Sequence, residues 1–436
     1  MCYIFIIVDL DLSKIKKVFF IGIGGIGISA LAKMAISRGM EVSGMNDEES
    51  PKTLDPLRSA GVKIFLLPNL PAEALAKEGA DLYVFSDAWI HRGPEIIAQA
   101  RETGKPVLSY FETLGIFAKE YKVIAVAGTH GKTTTTAMIA EILVDAGLDP
   151  TVIVGSFVKK FQSNFRSGKS KWLVVEADEY NRHFLNFYPY IAVVTNIEAD
   201  HLDYYKNLAD IQNAFAKFLL QSKNTITDYS KYFKKATASG GAPQHAVVPK
   251  LSVPGEHNRA NAAAAYAVAE KLNIPEEIIQ KSLAGFSGTW RRLEKRAETK
   301  EGVIIYDDYA HHPTEIKASL QALRELYPSP KKITIIFQPH LYSRTKALFD
   351  DFAKSFKQAD RVLLLPIYFA RENKDPSVSS EKLAQAILET GTETQAFPNF
   401  QSAENFVKGL NLGKNDVFVT MGAGEAYKVA DKVFSC

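Results

Sequence analysis

A short segment, GTHGKT at residues 128–133, has the composition of a phosphate-binding loop. It follows the apolar run KVIAVA and precedes a helix-like run, a context in which backbone N–H groups cradle phosphate oxygens. The lysine could bridge β- and γ-phosphates, and the next threonine could bind Mg²⁺. The loop departs from the pattern G-x-x-x-x-G-K-S/T, because Val126 stands where the first glycine would be. We predict a nucleotide site formed by Gly128, Thr129, His130, Gly131, Lys132, Thr133 and Thr134.

Acidic residues follow two further apolar runs and are candidate ligands for that metal. VVEADEY carries Glu176 and Glu179, and TNIEADH carries Glu198, Asp200 and His201. Both runs predict parallel strands, whose carboxyl ends meet at the ligand-binding edge of a sheet. Mg²⁺ prefers oxygen ligands and keeps several waters, so one or two of these side chains suffice. A histidine among carboxylates beside a buried strand favours a functional role for His201.

A second glycine motif, GIGGIG, places Gly22, Gly24 and Gly27 in the spacing G-x-G-x-x-G, with Gly25 between them. A predicted strand precedes the motif and a predicted helix follows, so the helix N-terminus could face a pyrophosphate. Asp47 lies 20 residues beyond Gly27, where a ribose contact is expected. The pattern alone admits NAD, a UDP group with the same pyrophosphate and ribose, or a tight turn without a ligand.

Polar residues form further clusters in the second half of the chain. PGEHNRAN precedes an alanine-rich helix, and its asparagines could contact an adenine edge or cap the helix. TWRRLE carries two arginines that, taken alone, favour a solvated surface run. DDYAHHP and FQPHLYSR end two predicted strands and suggest an anionic substrate site; no cysteine or H-x-x-x-H spacing supports zinc. The residues concerned are Asn258, Asn261, Arg291, Arg292, Asp307, Asp308, His311, His312, His340 and Arg344.

Strand-like and helix-like runs alternate along the chain and fall into three segments. They predict an α/β fold of three domains. The expected domains are an N-terminal Rossmann-like domain over residues 1–118, a central P-loop ATPase-type parallel sheet over 119–285, and a C-terminal Rossmann-like domain over 286–436. The start MCYIFII predicts an added first strand, unless it reflects the choice of start site, and residues 222–250 predict a loop-rich insertion.

Composition narrows the class of partner. The 436 residues allow two to four domains, and a net charge of +3 without a basic stripe argues against nucleic acid. The apolar start is too short to span a bilayer and lacks the basic region of a signal peptide. Cys2 and Cys436 offer no disulfide framework, which fits a reducing compartment. We therefore expect a cytoplasmic protein without membrane insertion.

Eight segments, in this order, resemble the motifs of the Mur ligase family. They are FFIGIGGIGISALA, GTHGKTTTT, EADE, TNIEADHLD, PGEHNRANAAAA, RRLE, DDYAHHPTEI and FQPHLYSR. The resemblance covers nearly the whole chain, from Lys16 to MGAGEAY near the end, and the shortened G-T-x-G-K-T loop is typical of the family. It is closest to the members that add L-alanine to UDP-N-acetylmuramate in peptidoglycan precursor synthesis.

The resemblance implies a reaction that uses ATP and Mg²⁺. ATP would phosphorylate the lactyl carboxylate of UDP-N-acetylmuramate, and the amine of L-alanine would then displace phosphate from the acyl phosphate. The implied catalytic residues are Lys132, Glu176, His201, Arg292 and His311.

The resemblance also distributes the candidate residues among subsites. Thr133, Glu176 and His201 would bind metal, with Glu179 as a less favoured alternative. Asn261, Arg292 and Asp308 would join the nucleotide site, and His311, His340 and Arg344 would lie towards the amino acid. Gly22, Gly24, Gly25, Gly27 and Asp47 would hold the UDP part, which favours a sugar nucleotide over NAD.

Two features depart from the family pattern. The stretch between DHLDYY and PGEHN is shorter than usual, and SGMND and SDAWIHRGPE differ from relatives near the presumed uridine pocket. The alternatives are a member that attaches a recycled murein tripeptide to the same sugar nucleotide, and, in a different class, an NAD-dependent oxidoreductase. The chain is expected to be a monomer or a homodimer.

Overall fold

The structure is a computed structural model, and it describes residues 10–67, 75, 78–232, 248–369 and 372–434. Within these residues three sheets follow one another along the chain, with five, six and six strands. Each sheet is covered by helices on its faces, so most strands are buried and apolar throughout. Short 3₁₀ helices occur at Leu12–Lys14, Lys159–Phe161, Tyr180–Asn186 and Ser230–Tyr232.

The N-terminal sheet is parallel throughout and has the strand order β3-β2-β1-β4-β5. Its strands are β1 Lys17–Ile21, β2 Glu41–Asn46, β3 Lys63–Leu66, β4 Leu82–Phe85 and β5 Val107–Ser109. Its helices are α1 Ile26–Ser37, α2 Pro51–Ser59, α3 Trp89–Arg92, α4 Pro94–Glu102 and α5 Tyr110–Ala118. The order reverses between β1 and β4, and the crevice at such a switch point is where doubly wound sheets bind ligands. The glycine motif lies there, between β1 and α1.

The central sheet has the order β11-β10-β6-β9-β7-β8 and is parallel except for the β7–β8 hairpin. Its strands are β6 Lys122–Ala127, β7 Thr151–Val158, β8 Ser163–Arg166, β9 Trp172–Glu176, β10 Ile191–Val194 and β11 Thr225–Ile226. Its helices are α6 Lys132–Asp145, α7 Leu208–Leu220, α8 Glu256–Lys271 and α9 Glu276–Gly285. The alanines of α8 let it pack closely on α6, and both helices are buried over most of their length.

The C-terminal sheet has the order β12-β13-β17-β14-β15-β16, with β12 antiparallel to β13 and the other strands parallel. Its strands are β12 Glu294–Glu298, β13 Ile304–Asp308, β14 Lys332–Phe337, β15 Arg361–Leu364, β16 Glu393–Ala396 and β17 Asp416–Met421. Its helices are α10 Pro313–Leu326, α11 Tyr342–Ala347, α12 Phe349–Ser355, α13 Ser380–Glu389, α14 Phe400–Gly409 and α15 Tyr427–Phe434.

This architecture confirms the predicted fold class of three α/β domains. The predicted loop-rich stretch at 222–250 contains β11 and a 3₁₀ turn in its first part, while residues 233–247 lie outside the described residues. The predicted first strand in MCYIFII also lies outside them. The exact domain boundaries stay predictions. In the part of the chain described here, no helix combines the length and apolarity needed to cross a membrane.

Candidate active site

The GTHGKT segment forms the loop between β6 and α6, as predicted. Gly128 and Gly131 have φ of +136° and +81°, a region that side chains with a Cβ avoid. A Cβ on Gly131 would lie 2.2 Å from Oδ1 of Asn261, and one on Gly128 would lie 2.0 Å from Oγ1 of Thr195. Both glycines are therefore required by conformation and by space. The N-terminus of α6 has no side-chain cap, so its first N–H groups remain available to an anion.

Lys132 lies at the start of α6 and is held inside the loop. Its Nζ donates to the carbonyl oxygen of Gly128 at 2.6 Å and to the two carboxylate oxygens of Glu179 at 2.8 and 3.0 Å. Burial opposes its charge, but the carboxylates of Glu179, Asp178 and Glu176 outweigh burial and raise the pKa of Lys132. The lysine is therefore a fixed cation at the phosphate loop.

Two groups of candidate metal ligands lie beside the lysine. Thr133 Oγ1 is 3.0 Å from both carboxylate oxygens of Glu176, and the Gly155 N–H donates to Glu176 at 2.8 Å. Asp178, Glu179 and His201 form the second group, with potential ligand atoms all within 4.8 Å of one another. The oxygen-rich donor set fits Mg²⁺.

The structure thus gives the two glutamates different surroundings, because Glu176 faces Thr133 while Glu179 faces Lys132 and His201. The sequence analysis named no role for Asp178, although it stands between them in EADE.

A pocket beside the phosphate loop is lined by residues from α8 and from the C-terminal domain. Asn261 is buried there against Gly131, and its Nδ2 donates to Asn258 Oδ1 at 3.4 Å. Asn258 donates to the Pro254 carbonyl at 2.6 Å, so its amide is engaged within its own helix start. On the opposite wall, burial raises the pKa of Asp308 to about 6, and Ser319 donates to its carboxylate.

The two neighbouring arginines have different roles. Arg291 is buried and makes an ion pair with Asp307 at 2.9 Å, with further bonds to the carbonyls of Gly422 and Gly424. The expectation of a solvated basic run is therefore wrong for Arg291, because its charge is neutralised inside the C-terminal domain. Arg292 points the other way, and its Nη2 donates to Thr133 Oγ1 at 3.2 Å.

The C-terminal domain covers the nucleotide loop, and a row of polar contacts connects the two. His130 Nδ1 is 3.2 Å from Glu315, and Thr314 donates to Glu198 at 2.8 Å. Glu315 also accepts from the N–H of His311 at 3.0 Å. Glu315 was not among the predicted site residues, although its position three residues after His312 forms a capping box at the start of α10.

The three residues expected on the amino-acid side lie near one another but differ in exposure to the cleft. His311 lines the cleft, and its Nδ1 contacts the Tyr309 carbonyl at 2.9 Å. Arg344 is buried and pairs with Asp200 of the central domain at 3.1 Å, and it also contacts His340 Nδ1 at 3.2 Å. Burial lowers the pKa of His311 to about 4, so this imidazole is neutral at physiological pH.

The GIGGIG turn is tight and partly closed by its own neighbours. Gly22 has φ of +81°, and a Cβ there would lie 2.1 Å from Nε1 of Trp89. The N–H of Gly24 donates to Oδ1 of buried Asn46 at 3.1 Å, whereas the neighbouring Asp47 pairs with Arg92 at 2.9 Å. The side chain that contacts the loop is therefore Asn46, and the ribose contact of Asp47 stays a prediction.

The start of α1 is the part of this motif that faces the other domains. Ile26 and Gly27 line a cleft together with Lys132, Glu176 and His201 of the central domain and with Arg292 and His311 of the C-terminal domain. Gly22, Gly24, Gly25 and Asp47 are not among the residues that line it. The cleft therefore brings together the start of α1, the GTHGKT loop and the candidate metal ligands.

Comparison with known proteins agrees with this three-part site. Family models match residues 17–122 (Mur ligase family, catalytic domain), 126–240 (Mur ligase middle domain) and 291–424 (Mur ligase, glutamate ligase domain). A UDP-N-acetylmuramate–L-alanine ligase from Caldanaerobacter subterraneus subsp. tengcongensis is 40% identical, over 97% of this chain and 98% of the relative. This chain belongs to the Mur ligase family.

Two other proteins show how far the likeness to Mur ligases extends. A UDP-N-acetylmuramate–L-alanine ligase from Clostridium acetobutylicum is 38% identical, over 98% of this chain and 99% of the relative. The crystal structure of a UDP-N-acetylmuramate–alanine ligase from Thermotoga maritima superposes with a TM-score of 0.78 at 28% identity, covering 96% of this chain and 98% of the other. The match of residues 17–122 to a Mur ligase domain favours a sugar nucleotide over NAD at the GIGGIG motif.

A murein peptide ligase has a weaker likeness to this chain. The murein peptide ligase of Psychrobacter arcticus has a TM-score of 0.67 at 23% identity, over 96% of this chain and 98% of the other, which supports the shared fold alone. The alignment with the Caldanaerobacter relative spans 462 positions, whereas this chain has 436 residues. The relative therefore contains residues that this Mur ligase lacks.

Proposed function

We propose that this Mur ligase joins L-alanine to the lactyl carboxylate of UDP-N-acetylmuramate at the expense of ATP. The single observation that carries the proposal is the cleft in which α1, the phosphate loop and the C-terminal domain meet. Full-length identity of about 40% to ligases named for this reaction supports the choice of substrates. In the cell the product serves peptidoglycan precursor synthesis.

The first step is phosphoryl transfer to the carboxylate. A lactyl carboxylate oxygen attacks the γ-phosphorus of ATP, the bond to the β-bridging oxygen breaks, and ADP leaves with that electron pair. Both reactants are anions, so fixed positive charge must offset their repulsion while they are aligned. Lys132 contacts the Gly128 carbonyl and Arg292 contacts Thr133, so both cations are at the phosphate loop and are suited to hold the β- and γ-phosphates.

The carboxylates at the phosphate loop fit Mg²⁺ by their chemistry. Thr133 and Glu176 would hold one ion, and His201 with Asp178 or Glu179 would hold a second. When bound, Mg²⁺ would offset the negative charge of the phosphate oxygens. In the described state Lys132 neutralises Glu179, which makes Glu176 the better first ligand.

The second step is attack of the amine on the acyl phosphate. The nitrogen lone pair of L-alanine adds to the carbonyl carbon, a tetrahedral intermediate forms, and inorganic phosphate leaves as the amide forms. The departing phosphate can take up the amine proton, and His311 is suited to accept a hydrogen bond from the amine, because its Nδ1–H donates to the Tyr309 carbonyl and so leaves Nε2 unprotonated. His340 and Arg344 lie next to it, and we propose that they orient the carboxylate of the amino acid.

Asn261, Asp308 and the pocket around them would receive the adenosine part of ATP. The UDP part would face the start of α1, where the N–H groups of Ile26 and Gly27 are not engaged by other loop residues. We place the enzyme in the cytoplasm, where ATP is available, as a monomer or homodimer. Light scattering coupled to size-exclusion chromatography measures the oligomeric state directly.

The proposed function is tested by leaving out one substrate at a time and measuring the products that are released. ADP formation should require UDP-N-acetylmuramate and L-alanine together, and the tripeptide L-alanyl-γ-D-glutamyl-meso-diaminopimelate should not replace L-alanine. Turnover with only the tripeptide would instead identify a recycling ligase. Lys132→Ala should abolish ligation, whereas Lys122→Ala on the exposed start of β6 should leave it unchanged.

A further inference from the structure

His183 lies at the junction of the N-terminal and central domains and has no part in the mechanism above. It belongs to the 3₁₀ segment Tyr180–Asn186 of the central domain and is 7% exposed. Its Nε2 is 2.7 Å from Oδ2 of Asp87, which follows β4 in the N-terminal domain. Its ring also stacks on Phe111 of α5, with centroids 4.1 Å apart and planes 16° apart.

The same imidazole contacts the cleft wall from both domains. Phe111, which stacks on it, lines the cleft from the N-terminal side. Asp178, which lies 3.6 Å from its Nδ1, lines the cleft from the central side and belongs to the second metal-ligand group. A shift of His183 would therefore move the two walls relative to each other.

Asp87 is rigidly connected to the glycine motif. The N–H of Ser86 donates to the carbonyl of Ile21 at 3.0 Å, immediately before the GIGGIG turn. Trp89, two residues after Asp87, covers Gly22 so closely that a Cβ there would clash with the indole. Among the described residues, no hydrogen bond to another side chain satisfies the Asp87 carboxylate. A carboxylate in this position depends on its one partner, because an unpaired buried charge is strongly unfavourable.

We propose that Asp87 and His183 are a positioning pair, which aligns the sugar-nucleotide loop with the metal-ligand cluster so that the lactyl carboxylate reaches the γ-phosphate. The proposal rests on the proposed function for the identity of the reacting groups. Neither residue touches the substrates in this account. Their loss should therefore lower the rate of the chemical step while leaving the separate binding sites intact.

The experiment compares His183→Ala, Asp87→Ala, the double variant and His183→Gln with the wild type. A displacement of about 1 Å at reacting groups costs on the order of 10²-fold in rate, so we expect kcat to fall about 10- to 100-fold in each alanine variant. The Kd for UDP-N-acetylmuramate, measured by calorimetry without ATP or metal, and the KM for ATP should change less than about threefold. The double variant should lose no more than either single variant, because both break one contact.

Two matched variants separate positioning from general damage. His183→Gln keeps an N–H donor near the position of Nε2 and should recover most of the rate. Arg101→Ala removes an exposed side chain from α4 of the N-terminal domain and should match the wild type. Unchanged kcat in folded alanine variants overturns the proposal, as does a Kd that weakens in parallel with the loss of kcat.

A measurement that does not depend on turnover distinguishes failure of the positioning pair from failure of the proposed function. Hydrogen exchange at residues 107–118 and 180–186 should quicken in both alanine variants and stay unchanged in Arg101→Ala. If the wild type does not turn over UDP-N-acetylmuramate and L-alanine, the proposed function fails, and quickened exchange still supports the pair. If exchange stays at the wild-type rate on both sides of the junction, the pair is refuted whatever the substrate.

Discussion

Arg344 of the C-terminal domain forms a buried ion pair with Asp200 of the central domain, and 3.1 Å separates Nε from Oδ1. Burial alone would raise the pKa of Asp200, but the guanidinium and nearby histidines hold it well below its usual range. The pair lies next to His201 and beside His340, so it connects the metal ligands with the amino-acid side. The described state is therefore one in which the C-terminal domain is closed over the nucleotide loop.

Asp200→Asn should weaken that closure. Breaking a buried pair by removing one charge costs about 3–5 kcal/mol, so kcat/KM should fall at least about 100-fold. Glu393→Gln, which removes an exposed partner of Arg361, is the matched control and should have little effect. Steady-state kinetics on both variants measures the difference, and equal activity would show that the Arg344 contact does not hold the closed state.

Gly131→Ala should eliminate nucleotide binding, because its Cβ would collide with Asn261. Gly147→Ala is the matched control: its φ of +73° is similarly unfavourable, but no atom lies within 4 Å of the added Cβ. The control should lose about 1 kcal/mol of stability and keep its affinity for ATP. Calorimetric titration with a non-hydrolysable ATP analogue separates the two, and wild-type affinity in Gly131→Ala would contradict the assignment of the loop.

Thr133→Val should raise the concentration of metal ion that the enzyme needs for activity, because it removes a hydroxyl that lies 3.0 Å from the Glu176 carboxylate. Glu176→Gln should act in the same direction. Thr135→Val on the same helix is the control, since the buried Thr135 hydroxyl has no hydrogen-bond partner among the described residues. Electron paramagnetic resonance of bound Mn²⁺ with the ATP analogue should show weakened binding, by about tenfold or more, in the first two variants only. Similar Mn²⁺ affinity in all three would exclude Thr133 and Glu176 as ligands.

Glu141 in α6 should make stability depend on pH. Burial raises the pKa of Glu141 to about 7, above the value of 4.5 that it has when exposed. The folded state therefore binds more protons between these two values, and the stability contribution present below pH 4.5 is lost as pH rises through about 7. Glu141→Gln should raise the free energy of unfolding at pH 8 by about 3 kcal/mol and change it little at pH 4.5.

Denaturant titrations at the two pH values measure this effect. Glu102→Gln on the exposed face of α4 is the control and should follow the wild type at both. If Glu141→Gln does not raise the free energy of unfolding at pH 8, the Glu141 carboxylate has a hydrogen-bond or charge partner in solution.

The phosphate loop could be predicted from the local sequence alone. The strand, two glycines, lysine and threonine fall within a dozen residues, and backbone conformation over that length is set by local sterics. The GIGGIG turn was predicted for the same reason. The contact of its Gly24 N–H with Asn46 was not predicted, because it depends on how β2 packs beside the loop, and the ribose contact of Asp47 stays a prediction.

Long-range pairing could not be predicted in the same way. Asp200 and Arg344 are 144 residues apart, and nothing in either segment specifies the other as its partner. Arg291 looked like part of a solvated basic run because its partners, Asp307 and the carbonyls after β17, come together only when the C-terminal sheet forms. The contact of His183 with Asp87 likewise depends on how two domains pack.

The most direct test of the proposed mechanism follows an oxygen atom from the substrate. UDP-N-acetylmuramate carrying ¹⁸O in both lactyl carboxylate oxygens is incubated with ATP, Mg²⁺ and L-alanine, and both products are analysed by mass spectrometry. The account predicts one ¹⁸O in the inorganic phosphate and one in the new amide. Phosphate without ¹⁸O, or release of ADP without an alanyl product, would contradict it.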